Sequence, residues 1–96
     1  MKEIVVSSMA PEPIGPYSQG VVSGEYIFLS GQVGRKYDAT ELENGVAEQT
    51  RQAILNMKAV LAEKNLTLDN VVKTTVFLAD MNDFAEVNGM YAKFFD

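Results

Sequence analysis

Apolar residues in the first third of the chain form three short runs that predict β-strands. Residues 4–6 (IVV) make the first run, and three prolines within six positions follow it as an extended loop, because each proline fixes φ and removes a hydrogen-bond donor. Residues 21–22 and 26–33 are the next strand candidates, and Ser23-Gly24-Glu25 joins them. Two β-prone runs around such a turn predict a hairpin.

Alternation along residues 26–33 decides which side chains share a face of the sheet. One face carries Tyr26, Phe28, Ser30 and Gln32, and the opposite face carries Ile27, Leu29, Gly31 and Val33. Neither set is plainly polar, so we expect the sheet to be covered on both faces. Helices on one face and another layer or subunit on the other would provide that cover.

The middle of the chain contains the clearest helix, at residues 46–64. At about 100° per residue, one arc is largely apolar and holds Val46, Thr50, Ala53, Ile54, Met57, Val60 and Leu61. The polar set outside that arc is Glu48, Arg51, Gln52, Lys58 and Glu63. Asn44 is the predicted N-cap of this helix, and Asn65 is its predicted left-handed stop.

A strand and a helix complete the predicted order. Residues 71–78 (VVKTTVFL) are rich in the β-branched side chains that strands favour. Asp80 or Asn82 can cap a final helix at residues 83–95, whose apolar stripe is Phe84, Val87, Tyr91, Phe94 and Phe95. The order β-β-β-α-β-α predicts an α+β fold, a two-layer sandwich with both helices on one face of a mixed sheet.

Length restricts the class of protein. Ninety-six residues suffice for one domain, predicted over residues 1–96, with a thin core. No apolar run approaches the roughly 18 residues that a membrane span needs. The amino terminus (MKEI) lacks the pattern of a signal peptide. We therefore expect a cytoplasmic protein with no membrane partner.

Composition excludes several kinds of chemistry. The chain has no Cys and no His, which removes disulfides, thiolate metal sites, Ser-His-Asp triads and Cys-His dyads. Its 8 basic and 13 acidic residues give a net charge of −5, and the basic residues are scattered, which argues against nucleic acid as a partner. Any chemistry must use Tyr, Ser, Asn, carboxylates, Lys, Arg or backbone groups.

The first candidate groups lie in the loop at residues 14–20 (IGPYSQG) and at the end of the third strand. Gly15 lets the backbone approach a ligand, and the Tyr17 hydroxyl can donate a hydrogen bond. Ser30 is expected to form hydrogen bonds rather than to attack, since no His can act as its base. Taken alone, an ordinary turn and a satisfied strand-end serine are the favoured interpretations.

Two further positions carry polar groups that could meet a ligand. Asn88 lies about 40° around the last helix from Phe84, where an amide is costly unless its hydrogen bonds are met. It either orients a ligand or an active-site loop, or it ties down that loop. Arg35 and Lys36 could hold a carboxylate, but adjacent basic residues in a polar loop are usually solvated.

Three blocks, read together, resemble the Rid family of reactive-intermediate imine deaminases (YjgF-like, also called L-PSP endoribonuclease-like). They are residues 14–20 (IGPYSQG), 30–33 (SGQV) and 73–95 (KTTVFLADMNDFAEVNGMYAKFF), and the helical QTRQ at residues 49–52 also fits. The resemblance spans essentially the whole chain and is closest to the enamine/imine deaminase branch.

The resemblance implies a chorismate-mutase-like fold assembled as a homotrimer, with three active sites between subunits. The implied reaction is hydrolysis of 2-imino acids, tautomers of 2-aminoacrylate and 2-aminocrotonate, to 2-keto acids and ammonia, without a metal or an organic cofactor. Tyr17, Ser30 and Asn88 fall where the family places active-site groups. Gly31 falls where the backbone lines the pocket, and Gly15 is a further substrate-binding candidate.

The sequence departs from the family pattern at its end. Family members continue with a strand of Pro-Ala-Arg-Ser/Cys type, whose arginine pairs with the substrate carboxylate, and then with a strand bearing a glutamate. This sequence contains neither strand. It is therefore expected to be either a truncated version of a normal member or a short member with weak or no deaminase activity.

Two other functions stay open beside deamination. One is a non-catalytic protein of the same fold that binds a small carboxylate or another protein. The other is the older family label, an RNA-cleaving inhibitor of translation. The net charge of −5 and the absence of His weigh against RNA.

Overall fold

A three-stranded antiparallel sheet forms the first layer of the fold. The computed structural model describes residues 2–95, and Met1 and Asp96, which the predicted domain includes, lie outside the described residues. The strands are β1 (Lys2–Val5), β2 (Gly20–Ser23) and β3 (Tyr26–Leu29), in the spatial order β1-β2-β3. The three strands predicted for the first third of the chain are confirmed, although β1 begins earlier and β3 ends earlier than the sequence pattern indicates.

The hairpin between β2 and β3 fixes which residues face the same side. Ser23 pairs with Tyr26 across a two-residue turn. Val5, Gly20 and Leu29 lie opposite one another across the three strands. Because side chains alternate along each strand, this register places Val5 and Leu29 on one face and leaves Phe28 on the other.

Helix α1 spans Val46–Ala62, so the predicted helix is confirmed over most of its length. Asn65 has a φ of 58° and is the left-handed stop that the sequence predicts. The prediction of Asn44 as N-cap is wrong, since Gly45 occupies that position with a φ of 84° and no side-chain cap. Because Gly45 makes the turn into the helix, Asn44 lies one residue before the N-cap position, from which a side chain would bond the first amides of the helix.

α1 covers one face of the sheet and forms the core with it. Val60 is fully buried and packs in one cluster with Val5 and Ala10. The partly buried residues around this cluster are Val22, Ile27, Leu29 and Ala59. Ile27 and Leu29 share a face, as the alternation predicts, and that face is the one covered by α1.

Two polar residues of α1 are buried with its apolar face. Asn56 is 0% exposed, and Gln52 is also buried. The prediction that Gln52 lies outside the buried arc is wrong. Its Nε2 donates to Oδ1 of Asn56 at 2.9 Å, and a buried amide with a partner one helical turn away no longer carries the full cost of desolvation.

The predicted strand at residues 71–78 is not formed. Among the described residues, the sheet contains β1, β2 and β3 alone, so the mixed sheet expected from a fourth strand is absent from this part of the chain. Val72 and Phe77 are 89% and 92% exposed. β-branched residues favour an extended backbone, but a strand also needs a hydrogen-bonded neighbour. No described strand lies beside this segment.

The last helix is shorter than predicted. A 3₁₀ turn at Met81–Asp83 leads into α2 (Phe84–Tyr91), where the sequence predicts a helix to residue 95. The Asp80 side chain accepts a hydrogen bond from the amide of Asn82 at 2.9 Å and so caps the 3₁₀ turn. The prediction of Asp80 or Asn82 as the cap of the last helix is wrong, since Asp83 occupies that position without a side-chain cap. α2 packs against α1, which completes an α+β fold of a sheet and two helices, the predicted class.

The second face of the sheet is apolar and exposed in a single chain. Tyr26 and Phe28 are 65% and 62% exposed, and Ile4 is half-exposed beside them. An apolar patch of this kind marks an interaction surface more often than a free one. Among residues 2–95 there is also no helix of the length and apolar character that a bilayer crossing requires.

Candidate functional site

A cavity of about 330 Å³ opens at the end of the sheet, between the proline-containing loop and the segment that follows β3. Residues 11–14 and 17–19 form one wall, and residues 30–33 with Arg35 form the other. Tyr17, Ser30 and Gly31, three of the predicted site residues, therefore line a single cavity. Both walls are loops attached to β2 and β3, so the sheet fixes the distance between them.

Gln19 holds the first wall in place. Its side chain is 3% exposed, and its Oε1 accepts a hydrogen bond from the amide of Ser7 at 2.6 Å. Its Nε2 donates to the carbonyl oxygens of Ser7, Ala10 and Pro11 at 3.1, 3.1 and 2.9 Å. One buried amide thus satisfies the backbone of the loop that leads to Tyr17, although no local pattern in the sequence marks Gln19 for this role.

Ser30 joins the two walls of the cavity. Its amide donates to the carbonyl oxygen of Gln19 at 3.0 Å, and its hydroxyl donates to the carbonyl oxygen of Ser18. The expectation that Ser30 forms hydrogen bonds is confirmed. Because the hydroxyl proton is engaged, the oxygen's lone pairs are the groups left to accept a hydrogen bond from a molecule in the cavity.

Tyr17 stands at the mouth of the cavity and is 69% exposed. Its amide donates to the carbonyl oxygen of Gly15 at 2.9 Å, which makes a tight turn. Gly15 has a φ of 96°, and a Cβ on it would lie 3.4 Å from the Tyr17 ring. Gly15 is absent from the described cavity lining; it shapes the turn that presents the tyrosine.

Arg35 is among the residues that line the cavity. It is half-buried and follows Gly34, which packs directly on α1, since a Cβ on Gly34 would come within 2.6 Å of the Gln49 carbonyl oxygen. Lys36 behaves as expected: it is exposed, and its ammonium lies 3.7 Å from the carboxylate of Glu43.

Asn88 does not meet the other candidates within one chain. It lies on α2, its side chain is exposed, and it is not among the described residues that line the cavity. The structure therefore brings together two of the three predicted catalytic residues. A role for Asn88 in the site stays a prediction.

Two of the described residues that line the cavity are charged, and the others are neutral. Glu12 lies in the first wall and Arg35 in the second, and among residues 2–95 no three acidic side chains converge as a metal site would require. Hydroxyls and backbone groups of such a lining are suited to hold and orient a small polar molecule.

The sequence that forms this cavity is similar to many known proteins. Residues 7–96 match the family described as Endoribonuclease L-PSP. A RutC family protein of Pyrococcus horikoshii is 44% identical over 96 residues, which are 99% of this chain and 76% of the relative. The human 2-iminobutanoate/2-iminopropanoate deaminase is 43% identical over 96 residues, which are 99% of this chain and 70% of the relative.

Solved structures show the same fold. The crystal structure of Escherichia coli TdcF with bound serine is similar to this chain with a TM-score of 0.93 and 39% sequence identity. The match covers 98% of this chain and 74% of the TdcF chain. The similarity therefore includes the sheet, both helices and the cavity walls, while each of these relatives has a longer chain.

Proposed function

The chain belongs to the endoribonuclease L-PSP (Rid) family, and from this membership we propose that it hydrolyses reactive 2-imino acids to 2-keto acids and ammonia. The substrates are the imine tautomers of 2-aminoacrylate and 2-aminocrotonate. The observation that carries the proposal is that Tyr17, Ser30 and Gly31 line one small cavity in a chain 43% identical to a deaminase of this type.

The reaction needs water to attack a planar carbon while the substrate is held still. Water oxygen bonds to the imine carbon, the C=N electron pair moves to nitrogen, and nitrogen takes a proton. The carbinolamine then loses ammonia as its hydroxyl becomes the keto oxygen. Holding water and substrate in this geometry supplies most of what a cofactor-free site can contribute.

In the proposed mechanism, Ser30 and Tyr17 each form a hydrogen bond to the reacting groups. The Ser30 oxygen, whose proton is donated to Ser18, accepts a hydrogen bond from the imine nitrogen or from the attacking water. The exposed Tyr17 hydroxyl donates to the nitrogen as it gains charge. The backbone at Gly31 borders the substrate, because that residue carries no side chain to fill the cavity.

We propose that the working form is a homotrimer with sites between subunits. Support comes from the uncovered sheet face, where Tyr26 and Phe28 are exposed, since a second subunit would bury that apolar surface. A neighbouring subunit would also close the cavity beside Tyr17 and bring further groups to it. Asn88 is proposed to act at this boundary.

The test is release of ammonia and keto acid from freshly generated 2-aminoacrylate and 2-aminocrotonate. A pyridoxal-phosphate dehydratase acting on serine or threonine supplies these substrates, and the rate above spontaneous hydrolysis is measured. Tyr17→Phe and Ser30→Ala should each lower that rate at least about tenfold. Tyr37→Phe and Ser8→Ala remove the same hydroxyls from exposed positions outside this cavity and should leave it unchanged. No acceleration by the folded wild-type protein overturns the proposal.

A further inference from the structure

The dipeptide Asn-Gly occurs twice in the chain, at residues 44–45 and 88–89. Both asparagines and both glycines are exposed, and a Cβ on either glycine would meet nothing within 4 Å. Asparagine is a thermolabile residue, and a following glycine leaves the next backbone nitrogen unshielded because it has no side chain. The two pairs are thus matched in sequence and in exposure to water, and they differ in the structure around them.

The first pair lies in an open link between two fixed points of the backbone. On one side, the Glu43 amide donates to the Gly34 carbonyl oxygen at 2.7 Å. On the other side, the Gly45 carbonyl oxygen accepts from the Gln49 amide at 3.0 Å. Within residues 2–95, neither the Gly45 amide nor the Asn44 side chain has a hydrogen-bond partner. No hydrogen bond therefore has to break before the Gly45 nitrogen approaches the Asn44 side chain.

The second pair lies inside helix α2 (Phe84–Tyr91). The Asn88 carbonyl oxygen accepts from the Ala92 amide at 2.9 Å, and an α-helix engages the Gly89 amide with the carbonyl oxygen four residues earlier. A ring between the Asn88 side chain and the Gly89 nitrogen needs backbone dihedrals outside the helical range. Its formation therefore requires local unfolding of α2, which also packs against α1.

We propose that Asn44 is a site of spontaneous deamidation in the folded protein, and that α2 protects Asn88 from the same reaction. The Gly45 nitrogen loses its proton and bonds to Cγ of Asn44. The bond from Cγ to the side-chain nitrogen breaks, and that nitrogen leaves as ammonia with the proton that Gly45 lost. Water then adds to one of the two carbonyl carbons of the cyclic imide, the bond from that carbon to the ring nitrogen breaks, and the ring nitrogen regains a proton. The product is aspartate or isoaspartate, depending on which carbonyl carbon water attacks.

Either product changes the entry to helix α1 (Val46–Ala62). Each adds one negative charge to a chain whose net charge is −5, at the end of the helix where the dipole favours an anion. Isoaspartate also lengthens the backbone by one carbon between Glu43 and Gly45, which are both held by hydrogen bonds. Because Glu43 bonds the backbone of Gly34, between the cavity-lining residues Val33 and Arg35, the modified position lies close to one wall of the cavity.

Ageing of the folded full chain, followed by peptide mass spectrometry, tests this inference. The protein is kept in neutral buffer at physiological temperature, sampled over weeks, and digested at acidic pH, where new deamidation is slow. Asn44 should convert at least about tenfold faster than Asn88, because the second reaction waits for α2 to open. In guanidinium chloride the two pairs should convert at rates within about threefold of each other, since the unfolded chain has lost the helix that separates them.

Two controls belong to the same experiment. Asn82 is exposed and precedes Asp83 instead of a glycine, so its peptide should stay unchanged over the same period. Asn44→Gln requires a larger ring at the same position, which should abolish the conversion there and leave the rate at Asn88 unchanged. None of these measurements depends on imine hydrolysis, so the result is independent of the proposed function.

The products and their rates decide between the outcomes. Aspartate and isoaspartate formed together, at a rate that rises with pH, support ring closure, because the attacking nitrogen must first lose its proton. Aspartate without isoaspartate would show direct hydrolysis and overturn the proposed reaction. Equal conversion of Asn44 and Asn88 in the folded protein would overturn protection by α2, and an unreactive Asn44 in the folded protein would overturn the site itself.

Discussion

The Gln19 side chain binds the backbone of Ser7 at both of its polar groups. Oε1 accepts from the Ser7 amide at 2.6 Å, and Nε2 donates to the Ser7 carbonyl at 3.1 Å. The Gln19 amide thus makes the same pair of hydrogen bonds that a backbone residue of a neighbouring strand would make, at a point where the strands have ended. It ties the exit of β1 (Lys2–Val5) to the entry of β2 (Gly20–Ser23), so the proline-containing loop between them closes on itself.

Removal of this side chain should destabilise the protein. Gln19→Ala leaves the Ser7 amide and up to three carbonyl oxygens without their partner, which we expect to lower the free energy of unfolding by about 2–3 kcal/mol. Urea unfolding followed by circular dichroism measures the change. Gln32→Ala is the control, because the Gln32 amide makes one exposed hydrogen bond of 3.3 Å, and its effect should stay within about 0.5 kcal/mol. Equal effects of the two substitutions would contradict this role for Gln19.

Asn56 should tolerate a charge poorly and in a pH-dependent way. In Asn56→Asp the introduced carboxylate would face the carbonyl oxygens of Val33 and Arg35 in a fully buried position. Burial and these carbonyl dipoles would raise the pKa of the introduced group above its unfolded value of about 3.9. The neutral acid can still donate one hydrogen bond, so the variant should be least destabilised near pH 4.

That destabilisation should grow as the pH rises through the raised pKa of the introduced group, reaching at least about 2 kcal/mol at pH 7. Urea unfolding of variant and wild type at matched pH values measures the difference. Asn82→Asp adds the same charge at an exposed site and should show little pH dependence relative to the wild type. A constant difference between the Asn56→Asp variant and the wild type from pH 4 to 8 would show that the site is open to water.

Two glycines of one loop should differ in how well they tolerate an added methyl group. A Cβ on Gly34 would lie 2.6 Å from the Gln49 carbonyl oxygen on α1, whereas a Cβ on Gly31 would meet nothing within 4 Å. Gly34→Ala should therefore cost about 2–3 kcal/mol of unfolding free energy, since backbone must move. Gly31→Ala should stay within about 0.5 kcal/mol. Thermal and urea unfolding of both variants measure the contrast, and equal stabilities would contradict direct packing of Gly34 on α1.

Local periodicity was enough to predict the three strands, the long helix and the left-handed Asn65. It failed where a tertiary partner decides the outcome. Residues 71–78 have the composition of a strand but no described strand beside them. Gln52 reads as a surface residue until Asn56 satisfies its amide.

The same reasoning explains which parts of the site could be predicted. Tyr17 and Ser30 lie in recognisable blocks, and the structure brings both to one cavity. Gln19 lies in one of those blocks, but its structural role depends on hydrogen bonds to backbone twelve residues away. A local sequence pattern carries no information about such a contact. Arg35 resembles a solvated loop residue in sequence. Its place in the cavity follows from Gly34 and Asn56, which hold the loop on α1.

The exposed face of the sheet should control assembly. Phe28 is 62% exposed in a single chain, so Phe28→Asp removes little packing within the monomer but places a charge in the proposed contact between subunits. Sedimentation and light scattering should give the wild type three times the monomer mass of 10.6 kDa and the variant a mass nearer one chain. Leu42→Asp makes a similar change at a loop residue that is 52% exposed, and it should leave the trimer intact. A wild-type protein that sediments as one chain would exclude the trimer, and a trimeric Phe28→Asp variant would move the contact away from this face.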